Sequence, residues 1–288
     1  MPFFSVVIPS YNISHLIKRA IDSLLNQTFQ DFEIIIVDDG STDNSRLLIE
    51  SIESNKIKYI FQENQGVCTA RNKGVSFSKG DYIAFLDSDD YVLYNWLEDF
   101  NAVIQKKTPD FVFCNMKVIN LKDNLEKIVS ALYPYDEKEY TEDGLFLAGT
   151  FCVKREVFIS LGRFDNQLKF GEFTEFRIRV FLNNYKKEFT NKVAFVYETS
   201  TNGGNNNLTN KIDSNLYVIK KHKSYFDKHP RDLVNYLNIS ATAAIKKKDF
   251  KLANQLFFWS FKIKPFKLKA LLRCLFSYNE FLSRVLWK

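Results

Sequence analysis

The sequence predicts an α/β protein built on a doubly wound, mostly parallel sheet. Three observations point there. Short runs rich in β-branched and aromatic residues alternate with segments whose apolar residues recur at helical spacing. One of those runs, "EIIIV" (33–37), is β-branched and typical of a strand buried on both faces. Polar residues cluster just after the runs, as "PSYN" (9–12), "DDGSTD" (38–43) and "DSDD" (87–90). That is the sheet edge where such folds bind ligands.

The elements follow in order. "FFSVVI" (3–8) reads as a strand ending in the "PSYN" turn. Leu16, Ile17, Ala20, Ile21, Leu24 and Leu25 form one helical face. "EIIIV" (33–37) is too short for a helix and reads as a buried strand, followed by a turn rich in capping residues. A helix over 45–53, a strand "IKYIF" (57–61), a loop and helix in "GVCTARNKGVSFSKG" and a strand "YIAFL" (82–86) come next. A helix over 94–105 and a strand "DFVFCN" (110–115) complete this half. Right-handed crossovers join such strands into a doubly wound sheet. Beyond residue 115, "NLKDNLEK" and "YPYDEKEYTEDG" read as charged loops. "GTFCVKREVFISLG" (149–162) reads as a strand and a short helix, and "GEFTEFRIRVFLNNY" (171–185) as a helix. "TSTNGGNNNLTN" (199–210) reads as a polar loop, and the chain from Lys211 onward as helix.

Composition narrows the class. A chain of 288 residues with 45% hydrophobic content and 28 Phe can bury a substantial aromatic core. The four cysteines are far apart and lack CxxC spacing, which argues against a zinc site or disulfide framework and for reduced thiols in the cytoplasm. No basic leader with a cleavage site and no run of 18 apolar residues is present. The net charge of +6 is uneven: residues 246–288 hold 11 Lys and Arg against Asp249 and Glu280.

Four constellations carry chemistry. Asp87, Ser88 and Asp89 follow a buried strand, and residues i and i+2 there can face one side. Two carboxylates so placed suit Mg²⁺ or Mn²⁺, with substrate phosphates completing the shell; the plainer reading is a solvated turn. Asp38 and Asp39 can accept hydrogen bonds from a nucleobase or ribose, with Asp39 the stronger candidate, or can serve as turn caps. Asp43 reads as a cap. Arg71 can brace the acids or hold a diphosphate. Glu172 and Glu175 can complement a helix dipole or act as a general base. No Gly-rich phosphate loop is present.

"SVVIPSYN", "SLLNQTFQDFEIIIVDDGSTDNS", "NQGVCTARNKG" and "GDYIAFLDSDD" occur in this order within 90 residues. This series resembles the family 2 glycosyltransferases, strongly over residues 3–115 and more weakly to 185. The resemblance implies a GT-A fold, a nucleotide-sugar donor with UDP favoured, a divalent metal (Mn²⁺ or Mg²⁺), and inversion at the anomeric carbon. It implies that Pro9 and Tyr11 line the base pocket, that Asp39 contacts uracil supported by Asp38, and that Arg71 lies near the diphosphate. Asp87, Ser88 and Asp89 would form the DxD motif, with Asp89 the main metal ligand and Asp87 nearer the ribose or sugar. One departure stands out: Phe173 occupies the position where family members carry the Asp that often serves as base. Glu172 or Glu175 would take that role, or the protein is a weak or inactive scaffold subunit.

The expected organisation is a catalytic domain over 1–210, with a nucleotide half to about 115 and an acceptor half beyond, then a basic helical extension over 211–288. The acceptor would be a saccharide or lipid-linked saccharide in surface polysaccharide synthesis. In residues 246–288 basic and aromatic residues interleave, which suits an anionic membrane surface; a helical hairpin packed on the catalytic domain is the alternative. The expected location is cytoplasmic, with peripheral contact on the inner membrane face as the tail's extra reading. No motif supports a nucleic-acid partner.

Overall fold

The β-branched runs become strands of one sheet. A computed structural model describes residues 1–130, 146–199 and 207–263. Its first half runs β1 (Phe4–Ser10), α1 (Ile17–Leu25), β2 (Phe32–Asp38), α2 (Ser45–Glu50), β3 (Ile57–Phe61), α3 (Val67–Phe77), β4 (Tyr82–Phe85), β5 (Tyr91–Val92), α4 (Trp96–Lys107) and β6 (Phe111–Asn120). Then follow β7 (Leu125–Val129), β8 (Phe151–Lys154), α5 (Arg155–Ser160), α6 (Glu172–Leu182), β9 (Lys187–Thr199), α7 (Leu208–Lys221), α8 (Lys223–Lys228), α9 (Pro230–Lys246) and α10 (Phe250–Ile263). Two compact units emerge: Met1–Asn166 with Arg179–Gly203, and Gln167–Ile178 with the described part of Gly204–Lys288.

In the first unit the strand order is β3-β2-β1-β4-β8-β6-β9-β5, with β7 beside β6. β1 pairs in parallel with β2 and β4, β2 with β3, and β6 with β9. β8, β7 and β5 run against their neighbours. Among the described residues, six of nine strands therefore share one direction. The chain builds outward from β1 to β3, then returns to place β4 on β1's other side. Strand order thus reverses between β1 and β4, and folds of this class hold ligands beyond the carboxyl ends at such a point.

Burial explains the apolar runs. Every residue of β1 is buried, and the core joins the sheet to α1 and α4 through Ile8, Ile21, Ile36, Trp96 and Phe100. Phenylalanine fills much of the space: the Phe85 ring meets those of Phe151, Phe158 and Phe164 at 6.1, 5.3 and 5.1 Å. Helix α3 lies on β1 and β2. Gly74 permits this, because a Cβ there would lie 2.4 Å from Val7 Cγ1.

Three strands depart from the expected pattern. The stretch expected as a charged loop after residue 115 instead extends β6 to Asn120 and turns back as β7, pairing Met116 with Val129 and Asn120 with Leu125. β7 is exposed over its first four positions, so it lacks an apolar signature; charged edge strands also resist stray pairing. Charges likewise interrupt the 13-residue β9. β5 has two residues, too few to show a period.

The second unit holds the first turns of α6 and the helices α7 to α10. α9 packs against both α7 and α10, around Ile212, Ala243, Ala244 and Ala253. Helix α7 starts at Leu208, inside the segment expected as loop. Asn207 caps it by accepting the N–H groups of Thr209 and Asn210, both at 3.1 Å. The expected tail helix is present through Ile263. Residues 264–288, most of the membrane-surface candidate, lie outside the described residues, as do 131–145 and 200–206 of the expected loops.

Candidate functional site

At the switch point β4 feeds a tight turn, closed by the Asp90 N–H donating to Asp87 O at 3.1 Å. Its three carboxylates have three different environments. Asp87 Oδ1 accepts Arg71 Nη2 at 2.5 Å; the arginine side chain is 3% exposed and the aspartate 35%. Asp90 is buried, and burial, then the charges of Asp87 and Asp89, push its carboxyl up to about 9. It therefore keeps its proton at neutral pH. Asp89 stands at the exposed edge, yet burial of its inner side, then Asp87, raises its carboxyl too. Ser88 is half-buried between them.

Arg19 braces the same turn from α1. Its Nη2 donates to the Asp89 backbone oxygen at 2.6 Å, and its Nη1 pairs with Glu198 Oε2 of β9 at 2.6 Å. Its guanidinium lies 4.7 Å from the Tyr91 ring centroid. Sequence reasoning missed Arg19 because its partners are far along the chain. Helix periodicity, which marks residue 19 as facing away from the apolar stripe, gives no hint of them.

The loops after β1 and β2 form a second part of the rim. The Asn12 N–H donates to Ser41 Oγ (2.9 Å), Asn12 Oδ1 accepts the Thr42 N–H (2.8 Å), and the Ser14 N–H donates to Asp43 Oδ2 (3.0 Å). Pro9 is buried within β1, while Tyr11, carried on this stitched loop, is 51% exposed. Asp38 Oδ1 accepts the Ser41 N–H at 2.8 Å and Oδ2 accepts the Tyr59 hydroxyl at 2.7 Å. Asp39 is also buried: Oδ1 accepts Gln62 Nε2 (2.6 Å) and the Gln65 N–H (2.8 Å), and Oδ2 accepts the Gly66 N–H (2.8 Å). It thereby fixes the turn that starts α3, where Gly66 takes φ +91°. Two buried polar atoms here, Ser10 Oγ and Gln62 Oε1, lack a hydrogen-bond partner among the described residues.

Helix α3 then presents Arg71 to Asp87, while its neighbour Asn72 is structural. Asn72 Nδ2 donates to Phe164 O and Asn166 Oδ1, both at 2.8 Å, and its Oδ1 accepts the Phe164 N–H at 3.0 Å.

Glu172 and Glu175 belong to the second unit, in the first turn of α6. Glu172 is nearly buried and Phe173 is buried beside it in sequence. Glu175 is fully buried, with Oε1 at 2.8 Å from His222 Nε2 and 2.9 Å from Lys221 Nζ. The fold thus ties the Glu175 carboxylate to the end of α7. His222 is a partner that no local sequence signal marks.

The fold has known counterparts. Over 99% of this chain and 82% of the other, it superposes on TarS of S. aureus crystallised with UDP-GlcNAc, with TM-score 0.61 and 21% identity; that likeness speaks to the GT-A fold. Glycosyltransferase GlyG of Streptococcus pneumoniae is 35% identical over 153 residues, 52% of this chain and 46% of GlyG. The E. coli enzyme named UDP-Glc:alpha-D-GlcNAc-diphosphoundecaprenol beta-1,3-glucosyltransferase, WfgD, is 35% identical over 127 residues, 44% of this chain and 50% of WfgD. The matched stretch thus spans about half the length of each of these two relatives. The family model described as "Glycosyl transferase family 2" matches residues 5–162, which carry the acidic turn, its arginine and the rim. On that match, the chain belongs to glycosyl transferase family 2.

Proposed function

We propose that this chain transfers a sugar from a UDP-sugar to a saccharide or lipid-linked saccharide in surface polysaccharide synthesis, with inversion at the anomeric carbon. The acidic turn carries the reading. It sits at the switch point, with Asp87 held by a buried arginine and Asp89 left at the open edge. The printed names of relatives support the donor and acceptor classes, since WfgD is named for UDP-Glc and a diphosphoundecaprenol-linked sugar.

The residues fit a hard divalent ion such as Mn²⁺ or Mg²⁺. Oxygen donors are the right chemistry; burial, then the charge of neighbouring carboxylates, raises Asp89 and Asp90, and a cation relieves that second, electrostatic part. Asp89 would hold it, with Asp87 nearby. When bound, the ion neutralises charge on the diphosphate. Tyr11 packs against the uracil, and the second lone pair of Asp39 Oδ2 accepts a base N–H while Asp38 keeps the rim in shape. Arg71 holds Asp87 in place. Glu172 takes the proton of the acceptor hydroxyl as its oxygen bonds to C1; the bond from C1 to the diphosphate oxygen breaks, and its electron pair leaves with UDP.

The burial of Phe173 favours a second reading, a weak or inactive binding subunit. Turnover separates the two. Glu172→Gln is expected to lower kcat by roughly 10²-fold or more with UDP affinity unchanged. Unchanged turnover places the base elsewhere; UDP binding without turnover across a panel of UDP-sugars supports the binding subunit. A cytoplasmic site with peripheral membrane contact through 246–288 fits a lipid-linked acceptor. Among the described residues no helix is long and apolar enough to cross a membrane.

A further inference from the structure

We propose that the cavity between α7 and α9 binds a phosphate-class anion through Lys211 and Lys246. The inference concerns the second unit alone and does not depend on the proposed function.

The cavity measures about 230 Å³ and is lined by Lys211 and Lys246, by the polar Asn238 and Thr242, and by an apolar wall including Leu208 and Ile239. Two lysines therefore line one hollow. Neither is ion-paired with a carboxylate among the described residues. Lys211 instead lies 5.0 Å from the Phe170 ring centroid, which fixes its head group. Nearby groups are committed: Lys247 Nζ donates to Thr209 Oγ1 at 2.6 Å, and Asp249 Oδ1 accepts the Leu252 N–H at 3.0 Å. Burial, then Lys246, pushes the Lys211 ammonium down from its ordinary value.

Two lysines lining one hollow, neither ion-paired among the described residues, call for an anion. Other features of the hollow agree. Asn238 Oδ1 is buried without a hydrogen-bond partner among the described residues, and turning that amide presents its NH₂ to an acceptor. The Thr242 hydroxyl supplies another donor; its own proton goes to Asn238 O at 2.8 Å until a better acceptor arrives. Leu208 is the first residue of α7, so the positive end of that helix dipole adds to the field. Several donors converging from two helices suit the oxygens of a phosphate better than one carboxylate, and the apolar wall suits the organic part of a phosphate ester. Free phosphate and a lipid headgroup share this chemistry.

Thermal unfolding of the full chain in sodium phosphate and in pyrophosphate, against chloride at equal ionic strength, tests the site. The parent and Lys220→Gln, an exposed lysine on α7, are expected to show saturable stabilisation by phosphate. Lys211→Gln and Lys246→Gln are expected to bind it about tenfold or more weakly, while in chloride they melt no lower than the parent. Flotation with phosphatidylcholine vesicles, with and without phosphatidic acid, assigns the source. Binding to phosphatidic acid that both substitutions weaken marks a headgroup; a phosphate response without flotation marks a soluble phosphate. A phosphate response equal in parent and both variants belongs elsewhere in the chain and overturns the proposal, as does no response beyond chloride.

Discussion

Asp87, Asp89 and Asp90 show how a fold tolerates adjacent carboxylates one at a time: one is paired, one is protonated, one is kept at the open edge. Arg71 carries the first arrangement. With its side chain 3% exposed, Arg71→Ala leaves Asp87 without its partner and is expected to cost about 2–3 kcal/mol in urea unfolding. Arg71→Lys should recover part of that, having charge but no planar fork; equal stability of all three proteins would mean the pair is incidental. Asp43 offers a pH test. Burial pushes its carboxyl up, but hydrogen bonds from Ser45 and Ser14 outweigh this and hold it at about 2. A depressed value stabilises above the unfolded pKa and fades as pH falls through the folded one. Asp43→Ala should therefore lose only about 0.5 kcal/mol at pH 7, because solvent screens so exposed a carboxylate, and the gap should close on titration from pH 4 toward pH 2. A pH-independent gap would point to packing instead.

At the scale of elements, the seat of α3 on the sheet matters most, because that helix carries Arg71. Gly74→Ala improves helix propensity yet forces a Cβ toward Val7 Cγ1. It should destabilise by about 1–3 kcal/mol and weaken nucleotide binding, whereas adding Val7→Ala should restore stability in part. A stabilised single variant would show that α3 has room to spare. The same scale explains what the sequence disclosed. β1, β2 and β4 were legible because each is a mostly apolar run buried in the sheet, and β3, a partly exposed edge strand, because most of its residues are β-branched or aromatic. So was α1, whose stripe Ile17, Ala20, Ile21 and Leu24 is buried as its spacing required. β7 and β9 were hidden, since edge exposure and charged residues erase the period that pattern reading needs. The site's residues were legible where they stand beside a strand end, as Asp87 and Asp39 do. The three donors that hold Asp39 in place and the brace from Arg19 were not, because tertiary pairing leaves no local mark.

At the scale of the whole molecule, charge is divided. The sheet unit gathers acids at one rim, while the helical unit holds an excess of lysines, two of them sharing a cavity. A carboxylate rim at a switch point suits a cation, and a lysine-lined hollow suits an anion. The first reading rests on Asp89, the carboxylate left at the open edge, and the second on two lysines that have no carboxylate partner among the described residues. The central claim is that the rim grips a nucleoside diphosphate through a divalent ion held at Asp89. Calorimetric titration of UDP into the full chain, with Mn²⁺ and with chelator, tests it most directly in the parent and in Asp89→Ala. Mn²⁺ should tighten UDP at least about tenfold in the parent and leave the variant's weak binding unchanged. Equal metal-dependent affinity in both proteins would contradict it.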